Sequence, residues 1–312
     1  MIGLTEIGSY IPAGSESNLE KLERFAMTEA FVREKLGAVR LARKGESEET
    51  SDLCVQAYRA LCNKRPIDPS RIDCIVVCTQ NPDGGGIPHT SAIVHGKLGA
   101  PESAACFDVS LGCSGFVYAL SIAQSFMQAN GLRRGLLFTA DPYSKIIDPE
   151  DRNTVLLFGD AATVALLEDG ADAAWSAVRF AFGTRGKDGM ALHNTSGKLV
   201  MDGRAVFGFS ASVVPAQVKA LLAAAGLSTS DIDLFLLHQG SKYIVDTIAQ
   251  RLALPADKVL LGLADCGNTV SSSIPLLLEK VMHQPALRRV VLSGFGVGLS
   301  WASCLLEREG AR

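Results

Sequence analysis

The residues with chemistry to offer fall at four places. Cys113 lies in Leu111-Gly112-Cys113-Ser114-Gly115-Phe116, between a short apolar run, 104–109, and a stretch from Ser114 to Met127 that is apolar almost all round. That pattern predicts a buried strand turning sharply into a helix N-terminus at the thiol. Unpaired N–H groups and the positive dipole end favour a thiolate there, so Cys113 is a candidate nucleophile. The alternative is a small hydrophobe packed at a helix start, one cysteine among eight. His238, in His238-Gln239, ends the apolar run Leu234–Leu237, where a histidine is either structural or reactive. Asn268, in Gly267-Asn268-Thr269, could offer an amide or simply cap the helix that follows. Gly294-Phe295-Gly296-Val297-Gly298 lies between two apolar runs. With no helix after it and the wrong spacing, it fails as a dinucleotide fingerprint, but a tight turn can aim backbone N–H groups at an oxyanion.

The elements that must hold these residues alternate along the chain. Residues 1–10 read as a strand, 18–36 as a charged helix, and 50–64 as an amphipathic helix with Leu53, Ala57 and Leu61 inside and Arg59 and Lys64 outside. Ile72–Cys78 reads as a buried strand, Thr90–Leu98 as a short helix, and Arg134–Ala140 as another buried strand. Phe158-Gly159-Asp160 turns into a further strand that ends at Leu167. Such alternation predicts an α/β fold around a largely buried sheet.

The second half echoes the first. Asp231–Leu237 repeats the character of Arg71–Val77, Arg251–Pro255 that of Lys97–Pro101, and Arg288–Leu292 that of Arg133–Leu137. Gly267-Asn268-Thr269, before a helix at 271–284, falls where Gly112-Cys113-Ser114 falls earlier. A repeat this long is no solenoid unit. It predicts two fused halves, 1–167 with the cysteine and 168–312 with the histidine and asparagine, in one compact unit joined by a loop-bearing bridge over 168–205.

Composition removes other classes. The net charge of −3 argues against a general nucleic-acid binder. The cysteines form no CxxC pair and no zinc-type spacing. There is no signal-peptide pattern and no long apolar run to cross a membrane, so a reduced, cytoplasmic enzyme is the simplest expectation.

Taken together, Gly112-Cys113-Ser114-Gly115-Phe116, Phe158-Gly159-Asp160-Ala161, His238-Gln239, Gly267-Asn268-Thr269 and Gly294–Gly298 resemble, in order and spacing, the β-ketoacyl-acyl-carrier-protein synthase III family of the thiolase superfamily. The resemblance covers essentially the whole chain. It implies a thiolase-like five-layer αβαβα sandwich of two pseudo-repeated halves, usually assembled as a homodimer. Cys113 matches the family nucleophile, which takes an acyl group from acyl-coenzyme A. His238 and Asn268 match the pair that holds the thioester carbonyl of malonyl-acyl carrier protein during decarboxylation. The amides of Cys113 and Val297 match the oxyanion hole, and Phe295 falls beside it. No metal or resident cofactor is implied; coenzyme A thioester is a substrate.

Departures from the family pattern lie in the coenzyme A channel and the acyl pocket. Phe31 stands where Trp is usual, Lys35 where Arg is usual, and Gly240-Ser241 where Ala-Asn is usual, whereas Arg152 matches. Leu111-Gly112 replaces a small pair before the nucleophile, and Ile87 replaces a Phe that many members send across the dimer to close the acyl pocket. These departures leave the reaction type alone and bear on the donor. Ile87 predicts a pocket more open than an acetyl-selective one. A synthase III-like acyltransferase of a specialised pathway, passing the acyl group to a non-malonyl acceptor, is the alternative; a non-catalytic partner subunit is disfavoured by the intact triad.

Overall fold

The structure, a computed structural model, describes residues 2–170 and 174–308. In chain order its strands are β1 (Ile2–Tyr10), β2 (Gly14–Ser17), β3 (Arg40–Arg43), β4 (Cys74–Cys78), β5 (Ala105–Val109), β6 (Arg134–Ala140), β7 (Ala162–Asp169), β8 (Trp175–Thr184), β9 (Leu192–Thr195), β10 (Lys198–Met201), β11 (Leu234–Leu237), β12 (Arg289–Gly296) and β13 (Ser300–Arg308). The α-helices are α1 (Thr50–Lys64), α2 (Thr90–Leu98), α3 (Gly115–Ala129), α4 (Arg152–Val155), α5 (Gly203–Ala224), α6 (Lys242–Arg251) and α7 (Ser273–Val281).

Nine strands run in the order β11-β12-β13-β8-β1-β7-β6-β4-β5. Between β8 and β1 the only paired residues among those described are Leu4 and Trp175, so two sheets meet at one narrow contact. Each sheet has the same plan. β1 lies antiparallel to β7, β7 antiparallel to β6, and β6 parallel to β4. β8 lies antiparallel to β13, β13 antiparallel to β12, and β12 parallel to β11. β5 completes the first sheet, and in the second its counterpart has shrunk to a parallel bridge between Phe235 and Val259. The internal echo seen in the sequence is therefore a repeat of topology.

The layers follow from which helices are apolar on all sides. α3 and α7 pack between the sheets, with Phe116, Leu120 and Met127 from one and Ile274, Leu277 and Leu278 from the other in a single core with residues of both sheets. α1 covers the first sheet with Leu53, Ala57 and Leu61, and α2 with Val94. α5 and α6 cover the second with Val214, Val218, Val245 and Ile248. The result is the five-layer αβαβα sandwich.

Three expectations are corrected. Residues 18–36 do not form one helix. A 3₁₀ turn at Asn18–Lys21 and a π-type turn at Phe31–Leu36 are separated by Ala26 at φ +47°, and the Asn18 amide is tied to the Ala38 and Leu156 carbonyls at 2.9 and 2.8 Å. The region 168–205 is no mere bridge, because it contains β8, the full-length partner of β13, and the β9–β10 hairpin. β8 was hidden because only Trp175–Ala177 are buried and its outer part is half exposed, so it reads as neither a continuous nor a cleanly alternating strand. β5 is half-buried rather than buried, since it is the edge of the sheet. α5, which runs unbroken through Pro215, also escaped the sequence reading. By length and composition it could cross a membrane, but half of its most apolar stretch is buried, and it lies against β12, β13 and α6.

Gly159 joins the halves at the level of the site. Its amide donates to the Asn268 carbonyl at 3.0 Å, and a Cβ there would stand 1.8 Å from the Cys266 carbonyl oxygen. Backbone cannot yield as a side chain can, so Gly159→Ala is expected to cost about 3 kcal/mol. A melting temperature within a degree or two of wild type would contradict this contact.

Candidate active site

Cys113 sits between β5 and α3, at the inner end of a cavity of about 420 Å³ that also takes in His238, Asn268 and Phe295. Three close approaches build this corner. A Cβ on Gly296 would stand 2.8 Å from the Cys113 Sγ, one on Gly294 would stand 2.7 Å from the Cys113 carbonyl oxygen, and one on Gly115 would stand 2.3 Å from the Cys78 Sγ. Glycine is thus required where the end of β12 touches the start of α3.

The thiol is 3% exposed. Burial pushes it up to about 12, with Asp141 adding to the rise, while backbone hydrogen bonds from Val297 and from Cys113 itself pull the other way. This corrects the expectation of a thiolate stabilised by the helix end, because desolvation outweighs the amides.

His238 follows β11 and is 2% exposed. Its Nδ1 lies 2.7 Å from the Ser273 Oγ, and its ring meets Phe295 edge-on, with centroids 5.4 Å apart. Burial pushes its pKa down to about 3, so the imidazole is neutral at physiological pH. Asn268 precedes a tight turn through Val270, whose φ of +53° is rare for a β-branched residue. The Asn268 Oδ1 accepts from the Val270 amide at 2.9 Å. The cap-like bond considered from sequence is present, and it uses the oxygen, leaving the NH₂ as the donor left over for the cavity.

The outer cavity is lined by Phe31, Lys35, Arg152 and Ser241, four residues that the sequence reading placed in a coenzyme A channel. The Arg152 guanidinium lies over the Phe31 ring at 5.7 Å. The Ser241 Oγ caps α6 by accepting from the Ile244 amide at 3.3 Å. The sequence reading missed an aromatic wall. Tyr243 stacks on Phe207 with centroids 5.0 Å apart, and the Lys35 ammonium lies 4.2 Å from the Tyr243 ring. Only the position of Tyr243, two residues after Ser241, hinted at it.

The two acyl-pocket candidates do not line this cavity. The Leu111 side chain packs toward the core between the sheets. Ile87 is 88% exposed at the tip of a loop whose Gly84, Gly85 and Gly86 all have positive φ. No group of three or more metal-ligating side chains occurs among the described residues.

A fold of this kind with a cysteine at the head of its central helix defines a thiolase-superfamily condensing enzyme. Residues 107–186 match the sequence profile of 3-oxoacyl-[acyl-carrier-protein] synthase III, and residues 222–308 match that of its C-terminal part. A β-ketoacyl-[acyl-carrier-protein] synthase III of Hyphomonas neptunium is 34% identical, over 96% of this chain and 97% of its own. The crystal structure of the synthase III of Thermus thermophilus superposes with a TM-score of 0.90 at 30% identity, covering 99% of this chain and all of that one. The priming β-ketosynthase of the R1128 polyketide pathway gives 0.88 at 29% identity, over 99% and 96% of the two chains. The chain belongs to the β-ketoacyl-acyl-carrier-protein synthase III family.

A thiol lifted so far gives a defined pH response. Only the thiolate alkylates, so the iodoacetamide rate at Cys113 should climb about tenfold per unit from roughly pH 7 to 10. Mass mapping with Cys113→Ala as control checks this, and a plateau below pH 8 would contradict the burial effect.

Proposed function

We propose that the chain condenses an acyl group from acyl-coenzyme A with malonyl-acyl carrier protein, releasing carbon dioxide and forming a β-ketoacyl-carrier protein. The observation that carries this reading is the convergence of Cys113, His238 and Asn268 on one cavity, with amides of Val297 and Cys113 at the sulfur. In the first half-reaction the Cys113 sulfur attacks the thioester carbonyl, and the two amides receive the oxyanion. The thiol proton leaves with coenzyme A. In the second, loss of carbon dioxide turns the malonyl group into an enolate, whose oxygen is met by the His238 Nε2–H and the Asn268 NH₂. The enolate carbon then attacks the acyl-cysteine, and the Cys113 sulfur departs as a thiolate that takes up a proton from solvent. A neutral imidazole suits this role, because a donor is needed and a permanent charge is not.

Phe31, Lys35, Arg152 and Ser241 are the proposed coenzyme A contacts. The flat Phe31–Arg152 pair suits a nucleobase, and the Lys35 cation suits a phosphate. We place the enzyme in the cytoplasm, as two halves of one unit, 1–167 and 168–312, in a homodimer. The unpaired edge of β5 and the exposed Ile87 favour association with a second copy. Ile87 would then reach the acyl pocket of the partner. Transfer to a non-malonyl acceptor remains the second reading, favoured only by the departures in the channel; the intact His238 and Asn268 speak for decarboxylation.

Two experiments test the chemistry. Cys113→Ala should accept no acyl group from acyl-coenzyme A by intact mass, whereas His238→Ala and Asn268→Ala should load normally and lose malonyl decarboxylation by about 10²–10³-fold. Wild-type condensation by the latter pair would reduce both residues to structural ones. Competition between acetyl- and octanoyl-coenzyme A tests Ile87. Ile87→Phe should move loading toward acetyl, and an unchanged ratio would remove Ile87 from the pocket. Sedimentation should show a dimer at micromolar concentration.

A further inference from the structure

The two groups assigned to the enolate are both steered by the turn Val270–Ser273. Three successive buried serines leave this turn for three different partners. The Ser271 Oγ donates to Asp141 at 2.5 Å, the Ser272 Oγ lies 2.8 Å from the Thr139 hydroxyl, and the Ser273 Oγ lies 2.7 Å from the His238 Nδ1. The first two tie α7 to the other half of the molecule. The third reaches the ring that the mechanism uses.

We propose that Ser273 is a positioning residue that fixes the His238 ring as the tautomer carrying its proton on Nε2. The inference rests on the reading of His238 as an enolate donor. A neutral imidazole has one N–H, and to donate into the cavity it must carry that hydrogen on Nε2, which leaves Nδ1 as an acceptor in need of a donor. The Ser273 hydroxyl hydrogen-bonds Nδ1, and the Val270 carbonyl, 3.0 Å from that hydroxyl, also bonds the ring. A carbonyl can only accept, so beside Nδ1 it favours the opposite tautomer. The Ser273 hydroxyl can donate, and its single hydrogen has two destinations: the His238 Nδ1 at 2.7 Å and the Val270 carbonyl at 3.0 Å. Donation to the nearer nitrogen puts the proton on Nε2. Among the described residues no carboxylate hydrogen-bonds the ring to set the tautomer another way.

Removing the hydroxyl reverses the preference. In Ser273→Ala the Nδ1–H bonds the Val270 carbonyl, and Nε2 turns a lone pair toward the developing enolate. Acyl loading of Cys113 does not involve this ring and should persist. The expected result for Ser273→Ala is wild-type loading by intact mass, a fall of about 10²-fold in kcat for malonyl decarboxylation, and KM for malonyl-carrier protein within a few-fold. Ser273→Thr, which restores the hydroxyl, should recover most of the loss. Ring ¹⁵N shifts in [¹⁵N]histidine-labelled protein should show Nε2 protonated in wild type and Nδ1 protonated in Ser273→Ala. Wild-type decarboxylation by Ser273→Ala, or Nε2 still protonated in it, would overturn the proposal. If Ser273→Ala does not fold, the wild-type spectrum still decides, because a protonated Nδ1 there overturns it as well. If His238→Ala is impaired while Ser273→Ala is not, this proposal alone is lost. If neither is impaired, the reading of His238 fails with it.

Discussion

Everything at the site depends on how closely the end of β12 approaches the start of α3. Gly294 and Gly296 let one backbone lie against another, with no room for a Cβ on either. The same approach brings the Val297 amide to the Cys113 sulfur, closes the thiol off from water, and presses Phe295 against the His238 ring. A wider gap would solvate the thiol and lose the second amide together. The geometry therefore couples reactivity to packing, and a change in one cannot leave the other alone.

Burial has the same sign of effect on both titratable groups of the site, since it disfavours charge. Cys113 is held as a thiol and His238 as a neutral imidazole. In the proposed reaction such a centre begins uncharged and develops charge only along the way, beside fixed amides and a fixed carboxamide. Water is kept from reorganising around the intermediates, and the dipoles are already oriented by turns such as the Asn268–Val270 bond at 2.9 Å.

Much of this was legible in the sequence, and the limits have physical causes. α1 announced itself because its apolar periodicity matches its burial, and β6 and the Cys113 helix because they are apolar nearly throughout. The echo between the two halves pointed to the duplicated sheet plan. Residues 18–36 misled because charge spacing alone looked helical, whereas the buried Asn18 and the positive φ of Ala26 are tertiary decisions. Cys113, His238 and Asn268 were found by local motif, and they converge on one cavity. The direction of the thiol shift was not, because a helix end is visible in sequence and the loss of water around it is not. Leu111 could point into the core or the cavity until the sheets were seen together, and Tyr243 had no motif to mark it.

The order of the strands also carries a consequence for the moment of synthesis. β1 comes before every other strand described, yet its partner β7 is Ala162–Asp169, and its other neighbour, β8, comes later still. The sulfur at 113 must wait longer, for Asn268 and then for the amide of Val297. The first half alone has the thiol without the Val297 amide, and α3 without α7 to pack against. Contacts of such long sequence separation form slowly, after most of the chain is available. The surroundings of Cys113 are thus complete only when residues nearly two hundred positions further along the chain have been added.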